Sequence, residues 1–178
     1  MHVSVAGDSD LEAVAELVNS GFRGESSRAG WTTEADFLGG QRTDPSLLRE
    51  ELAARVGAVL LLLRAEPQGE LLGSVWLDPE EPGVWHLGML TVRPDLQGRQ
   101  LGRRLLAEAE SYAAARGAAR MRMTVIQVRD TLSAWYERRG YVRTGERKPF
   151  PYGDERFGLP LRDDLYFEVF EKRLDESR

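Results

Sequence analysis

The stretch from Val84 to Val128 constrains the fold more than any other. Val84–Val92 is an apolar strand stopped by Pro94. Gln97–Arg116 then places Leu101, Leu105, Ala109 and Tyr112 on one helical face, and Gly117 ends the helix. Arg120–Val128 alternates Met121, Met123 and Val125 with Arg120, Arg122 and Thr124, as a half-buried strand does. Two strands joined by a helical crossover lie parallel. Upstream, Ala58–Ala65, Leu71–Leu77 and Val84–Val92 are separated only by the turns Glu66–Gly69 and Pro79–Gly83, which makes an antiparallel meander. The expected fold is mixed α/β, a mostly antiparallel sheet with a central parallel pair. At 178 residues the chain, 1–178, fits a single domain.

The flanking segments fill in the remaining elements. His2–Ala6 reads as a short strand. Ser9-Asp10-Leu11-Glu12 has capping-box spacing, and Leu11, Val14, Ala15, Leu17 and Val18 then share one helical face. Residues 20–43 form a polar, Gly-rich excursion with isolated Phe22, Trp31 and Phe37. Asp44-Pro45 starts a helix that runs to about Arg55. Asp130 caps a short helix ending at Gly140, and Tyr141–Thr144 and Leu165–Phe170 are two final strands separated by a long loop.

Composition removes several classes of function. Without a cysteine there is no disulfide framework, no thiolate metal site and no cysteine nucleophile. No metal is expected. A net charge of -5 argues against non-specific nucleic-acid binding, which needs clustered cations, and suits an amine-bearing substrate. The run Val59–Leu63 is too short to span a bilayer, so no membrane partner is expected. No cationic segment followed by an apolar stretch opens the chain, so the expected location is cytoplasmic.

The chemistry is concentrated between Val92 and Leu106. A strand ends, a turn with Gly98 and Gly102 follows, and a helix begins. Free amides at a helix start carry the positive end of its dipole and suit phosphate, and glycine lets the backbone come close. Arg93, Arg99, Arg103 and Arg104 against the single Asp95 make this segment cationic within an acidic protein. The same residues also suit a Gly-bearing turn before a surface helix with solvated arginines. The spacing is neither G-x-G-x-x-G nor a Walker A loop.

The segment resembles the acetyl-CoA-binding motif of the GNAT superfamily of N-acetyltransferases, Gln/Arg-x-x-Gly-x-Gly/Ala after a Val-x-Pro strand end. Here that reads Gln97-Gly98-Arg99-Gln100-Leu101-Gly102, led by Val92-Arg93-Pro94. Ala134-Trp135-Tyr136-Glu137-Arg138-Arg139-Gly140-Tyr141 resembles the family's Tyr-x-x-x-Gly-Phe/Tyr helix ending. The element order also matches, over about residues 3 to 172. The resemblance implies a GNAT-type fold with helices on both faces of the sheet, and direct transfer of an acetyl group from acetyl-CoA to an amine. Two positions depart from the pattern. Gln100 stands where relatives carry glycine, and Arg129 where many carry asparagine. Arg129 either contacts pantetheine or phosphate or faces solvent.

By resemblance, the phosphates fall to Gln97, Gly98, Arg99, Gln100, Leu101, Gly102 and Arg103, with Arg129 and Tyr136 beside the cofactor. Pantetheine pairs with backbone near Thr91 and Val92. The oxyanion donor is Leu90 or Met89 on the preceding strand, and Tyr136 is the acid for the leaving thiolate. His86, eleven residues before Gln97, is the candidate base, directly or through water, unless a water chain alone serves. Phe22, Trp31, Trp76, Trp85, Phe150 and Tyr152 are candidate walls for the acceptor, with Glu25, Glu34, Asp154 or Glu155 meeting a cationic substrate. The loop from Glu146 to Asp164 is a candidate lid. A homodimer is compatible with the superfamily. The alternative function is a non-catalytic acyl-CoA-binding regulatory module.

Overall fold

In the computed structural model, which describes residues 1–175, the elements run β1 (His2–Val5), α1 (Leu11–Phe22), β2 (Leu38–Gly39), α2 (Pro45–Ala54), β3 (Val59–Arg64), β4 (Leu71–Glu81), β5 (Val84–Val92), α3 (Leu101–Ala114), β6 (Arg120–Ile126), α4 (Asp130–Glu137), β7 (Val142–Pro149), β8 (Leu159–Pro160) and β9 (Tyr166–Arg173). Seven strands make one sheet in the order β1-β3-β4-β5-β6-β9-β7. Every neighbouring pair is antiparallel except β5 and β6. The mixed sheet and its central parallel pair are as expected.

Alternation along the strands divides the core in two. Leu61, Leu63, Val75, Leu77, Trp85, Leu87, Met121 and Met123 face α3 and α4, where Leu105, Ala109, Ala113 and Tyr136 meet them. Leu60, Leu62 and Trp76 point to the opposite face and pack on Leu11, Val14, Val18 and Phe22 of α1 and Leu48 of α2. Helices therefore cover both faces.

Two features of β5 shape the site. It pairs with β6 only from Val84 to His86, opposite Arg120 to Arg122, and past that rung the two strands part into a fork. On its other edge Ser74 faces Thr91 and Trp76 faces Gly88, so Val75 stands opposite both Met89 and Leu90. This is a bulge, and Met89 takes a φ of 47° to make it. A left-handed residue other than glycine costs roughly 1–2 kcal/mol and is held by its surroundings.

Several boundaries differ from expectation for physical reasons. α3 starts at Leu101 rather than Gln97, because Gly98 (φ 83°) and Gln100 (φ 62°) are left-handed and cannot continue a helix. β4 runs on through Pro79 to Glu81, past the last β3–β4 pair, Val59 with Leu77, where only one neighbouring strand remains. At the start of α1 it is Asp10, not Ser9, that accepts a backbone N–H, from Gly7 at 2.8 Å. Arg129 rather than Asp130 takes the cap position of α4. The long final loop is pinned down: β7 extends to Pro149, and β8 pairs with β2 across a small cluster of Leu38, Ile126 and Leu165.

Candidate active site

The turn between β5 and α3 is built to leave donors unused. Pro94–Leu96 make one 3₁₀ turn, Gln97 is extended, and α3 begins after Gln100. Among the described residues, the backbone N–H groups from Gly98 to Arg103 donate to no protein acceptor. At Gly98, nothing lies within 4 Å of where a Cβ would stand, so that stretch of backbone is open to a ligand. Gln100 carries the left-handed conformation that glycine would adopt at this position. The turn thus keeps its shape despite the side chain.

These amides open into a cavity of about 410 Å³ that passes through the fork between β5 and β6. Of the residues singled out in the sequence, Met89, Leu90, Val92, Gln97, Gly98, Gln100, Leu101, Gly102, Arg103, Arg129 and Tyr136 line it. Thr91 does not: it is buried and donates its hydroxyl to the Met89 carbonyl at 3.0 Å. Arg99 is exposed beside Gly98 and forms none of the cavity wall. His86 also lies outside, on the α1–α2 face at the apex of the fork, with Nε2 near Gly88.

Tyr136 is buried against Trp135 and Tyr141, with ring centroids at 5.0 and 5.6 Å. Its hydroxyl makes no hydrogen bond to protein among the described residues. Burial raises its pKa well above that of a free tyrosine, and the nearby cations Arg129 and Arg139 only partly oppose this. It is therefore a protonated donor facing the cavity. His86 is held below the ordinary histidine value by burial, against the pull of Asp78 and Glu80, so it is neutral at pH 7.

The roof of the cavity is Trp31 and Thr32, sewn to both walls of the fork. Gln97 accepts the Trp31 N–H at 2.8 Å and donates to Thr32 Oγ1 at 2.9 Å. Arg129 donates to the Thr32 carbonyl at 2.7 Å and to Glu34 at 2.9 Å. Glu34 also binds Arg23 and is buried between the two guanidiniums. Burial pushes its pKa up, but Arg129, Arg23 and Arg42 together hold it below the usual carboxylate range.

Three expectations need correction here. Glu34 is consumed by arginines and cannot meet a cationic substrate, while Glu25 and Asp154 are bound to the neighbouring Arg28 and Arg156. Of the candidate acceptor walls only Phe22 and Trp31 line the cavity. Trp76 and Trp85 belong to the two cores, and Phe150 stacks on Phe167. Among the described residues, none of the loop 146–164 lines the cavity. Sequence reasoning missed Trp135, whose indole carbon Cζ2 lies 3.5 Å from the Cβ position of Gly102, and the adjacent cations Arg138 and Arg139. The signal was present: two consecutive arginines lie inside the Tyr136 motif, between Glu137 and Gly140.

The site is thus a forked mixed sheet with unpartnered amides at the mouth of the fork and a protonated tyrosine lining it. The chain belongs to the GNAT family of acetyltransferases, whose family model matches residues 14–141. A mycothiol acetyltransferase from Beutenbergia cavernae is 33% identical over 99 residues, covering 52% of this chain and 33% of that relative. The matched segment thus spans about a third of the relative's length. Among solved structures, the ribosomal-protein-alanine N-acetyltransferase of Brucella melitensis superposes with a TM-score of 0.68 at 20% identity, covering 97% of this chain and 99% of that one. The yncA protein of Salmonella typhimurium, solved with its cofactor acetyl-CoA, gives 0.67 at 19% identity and covers 100% and 96%. At such identities these likenesses establish the fold.

Proposed function

We propose that this chain is an N-acetyltransferase that moves the acetyl group of acetyl-CoA onto an amine by direct attack in a ternary complex. The observation that carries this reading is the continuity of one cavity from the unpartnered amides of Gly98–Arg103 to the hydroxyl of Tyr136. The donor set fits coenzyme A. Open backbone at Gly98 and a helix N-terminus at α3 suit a pyrophosphate, and the narrow fork suits an extended arm. Bound there, acetyl-CoA supplies an activated thioester.

The chain's own residues then have defined tasks. The amides of Gly98–Arg103 hold the phosphates. The backbone of β5 beyond His86 has no β6 partner, and from it we assign the Leu90 N–H, beside the Met89 bulge, to the developing oxyanion. Tyr136 donates its proton to the departing thiolate, and Arg129 and Arg139 favour the phenolate that briefly results. A lysine-like acceptor with pKa near 10.4 must lose a proton, which costs roughly 4.6 kcal/mol at pH 7. His86 is neutral and able to take that proton, and its place outside the cavity wall requires an intervening water.

We read residues 1–178 as one such catalytic unit, because a single sheet runs from β1 to β9. The same reading carries a cytoplasmic location and no nucleic-acid partner. No helix among the described residues is long and apolar enough to cross a membrane. The test is thiol release from acetyl-CoA with a panel of amines, alongside calorimetry with coenzyme A. Turnover with any amine supports the enzyme. Tight binding without turnover supports a regulatory module instead, and no binding ends the reading.

A further inference from the structure

Beside the cavity lies a second concavity of about 470 Å³ between α3 and the end of α4. Arg103, Arg138 and Arg139 border both spaces, so the two meet at the first turn of α3. Its one carboxylate is already engaged: Glu110 accepts Lys172 Nζ at 2.9 and 3.0 Å and the Tyr141 hydroxyl at 2.8 Å. The three arginines have no carboxylate partner among the described residues, although ion-paired arginines are common elsewhere in the molecule. Arg139 lies over the Trp135 ring at 3.6 Å and donates to the Trp135 carbonyl at 2.7 Å, while its Nε is buried without an acceptor. Burial and the like charges of Arg138 and Arg103 hold its guanidinium below the ordinary arginine value. Cations gathered without a counter-charge are unfavourable unless an anion joins them.

On the acetyl-CoA reading the amides of the turn hold the pyrophosphate, which leaves this second set of donors for a second phosphate. We propose that the groove binds the 3′-phosphomonoester of coenzyme A, with Arg138 and Arg103 as direct donors and Arg139 fixing the floor through Trp135. The proposal rests on the acetyl-CoA reading but concerns a phosphate that the amide turn does not need. A phosphomonoester carries about 1.5 to 2 negative charges at pH 7, and guanidinium groups grip such oxygens in pairs.

Dephospho-CoA lacks only this phosphate and is the probe. Calorimetry on the full chain should show coenzyme A binding about tenfold or more tightly than dephospho-CoA. In Arg138→Gln combined with Arg103→Gln, both exposed positions, coenzyme A should fall to the level of dephospho-CoA, while dephospho-CoA binding stays within about twofold of wild type. Equal binding of the two ligands by wild type overturns the proposal, as does a double variant that loses both alike, because the arginines would then serve the pyrophosphate. A wild-type chain that binds neither ligand overturns the acetyl-CoA reading itself, a result distinct from both.

Discussion

The side-chain oxygen of Gln97 accepts the backbone N–H of Trp31 at 2.8 Å, tying the phosphate turn to the roof of the cavity. Its amide nitrogen reaches Thr32 Oγ1 at 2.9 Å and the Val92 carbonyl at 3.3 Å. The position the sequence assigned to phosphate therefore contributes its side chain to architecture, and its backbone N–H donates to the Pro94 carbonyl at 3.5 Å. Gln97→Ala removes all three bonds and should cost about 2 kcal/mol, lowering Tm by roughly 4–8 °C. Gln97→Glu keeps the bond from Trp31 and loses both donations, so it should fall between. Thermal unfolding measures both, and an unshifted Tm for Gln97→Ala contradicts the tie.

Glu34 is the single carboxylate between the buried guanidinium of Arg23 and the largely buried one of Arg129. Glu34→Gln leaves Arg23 and Arg129 facing a neutral amide, and breaking such a buried network costs roughly 3–5 kcal/mol. The expected result is a large fall in the urea midpoint with an unchanged m-value. A loss under 1 kcal/mol would mean that water already screens the cluster.

His86 makes stability depend on pH. In the unfolded chain it binds a proton at its ordinary value of 6.5, and in the folded chain burial lowers that value. Between the two the unfolded state holds more protons, so stability falls as pH drops through 6.5. His86→Gln should flatten this part of the profile between about pH 7 and 5, a window above the ordinary carboxylate range. Urea unfolding across that window, with the slope unaltered in the variant, would show that His86 is not the titrating group.

Gln100 and Gly98 show how far local reading reaches. Gln100 stands where relatives carry glycine, yet its φ of 62° reproduces the conformation glycine would supply. Gln100→Gly should therefore keep coenzyme A affinity within about twofold and change stability by less than about 1 kcal/mol, since relieved strain offsets added chain entropy. Gln100→Val, whose branched Cβ resists φ > 0, should cost about 1–2 kcal/mol. Thermal unfolding and calorimetry check both, and a Gln100→Val variant as stable as wild type would remove the strain argument.

The strands, the crossover and the Gly-bearing turn were legible because each follows from short-range periodicity and turn chemistry. What joins distant segments was not. Nothing in the sequence near Glu34 announces that Arg23 and Arg129 will close on it, and the acidic loop residues pointed to a cationic substrate that Glu34 is not free to meet. His86 had suitable chemistry and spacing, but the fork opens one rung beyond it and leaves it off the cavity wall. Trp31 was visible as a wall but not as a roof, because its bonds come from Gln97, across the sheet.

Tyr136 offers the most direct test of the proposed chemistry. The residue is buried, lines the cavity and has a pKa raised by burial, so its hydroxyl stays protonated throughout the range in which the enzyme is assayed. Tyr136→Phe keeps the ring and its edge contacts with Trp135 and Tyr141 and removes only the proton. If the leaving thiolate takes that proton in the transition state, kcat should fall by about 10²-fold or more while coenzyme A affinity changes less than about twofold. Because the folded pKa is raised rather than lowered, wild-type activity should show no alkaline loss from this residue up to about pH 10. An unchanged kcat in the variant, measured with chemistry as the slow step, would take Tyr136 out of the mechanism. An equal loss of kcat and of coenzyme A binding would make it a packing residue instead.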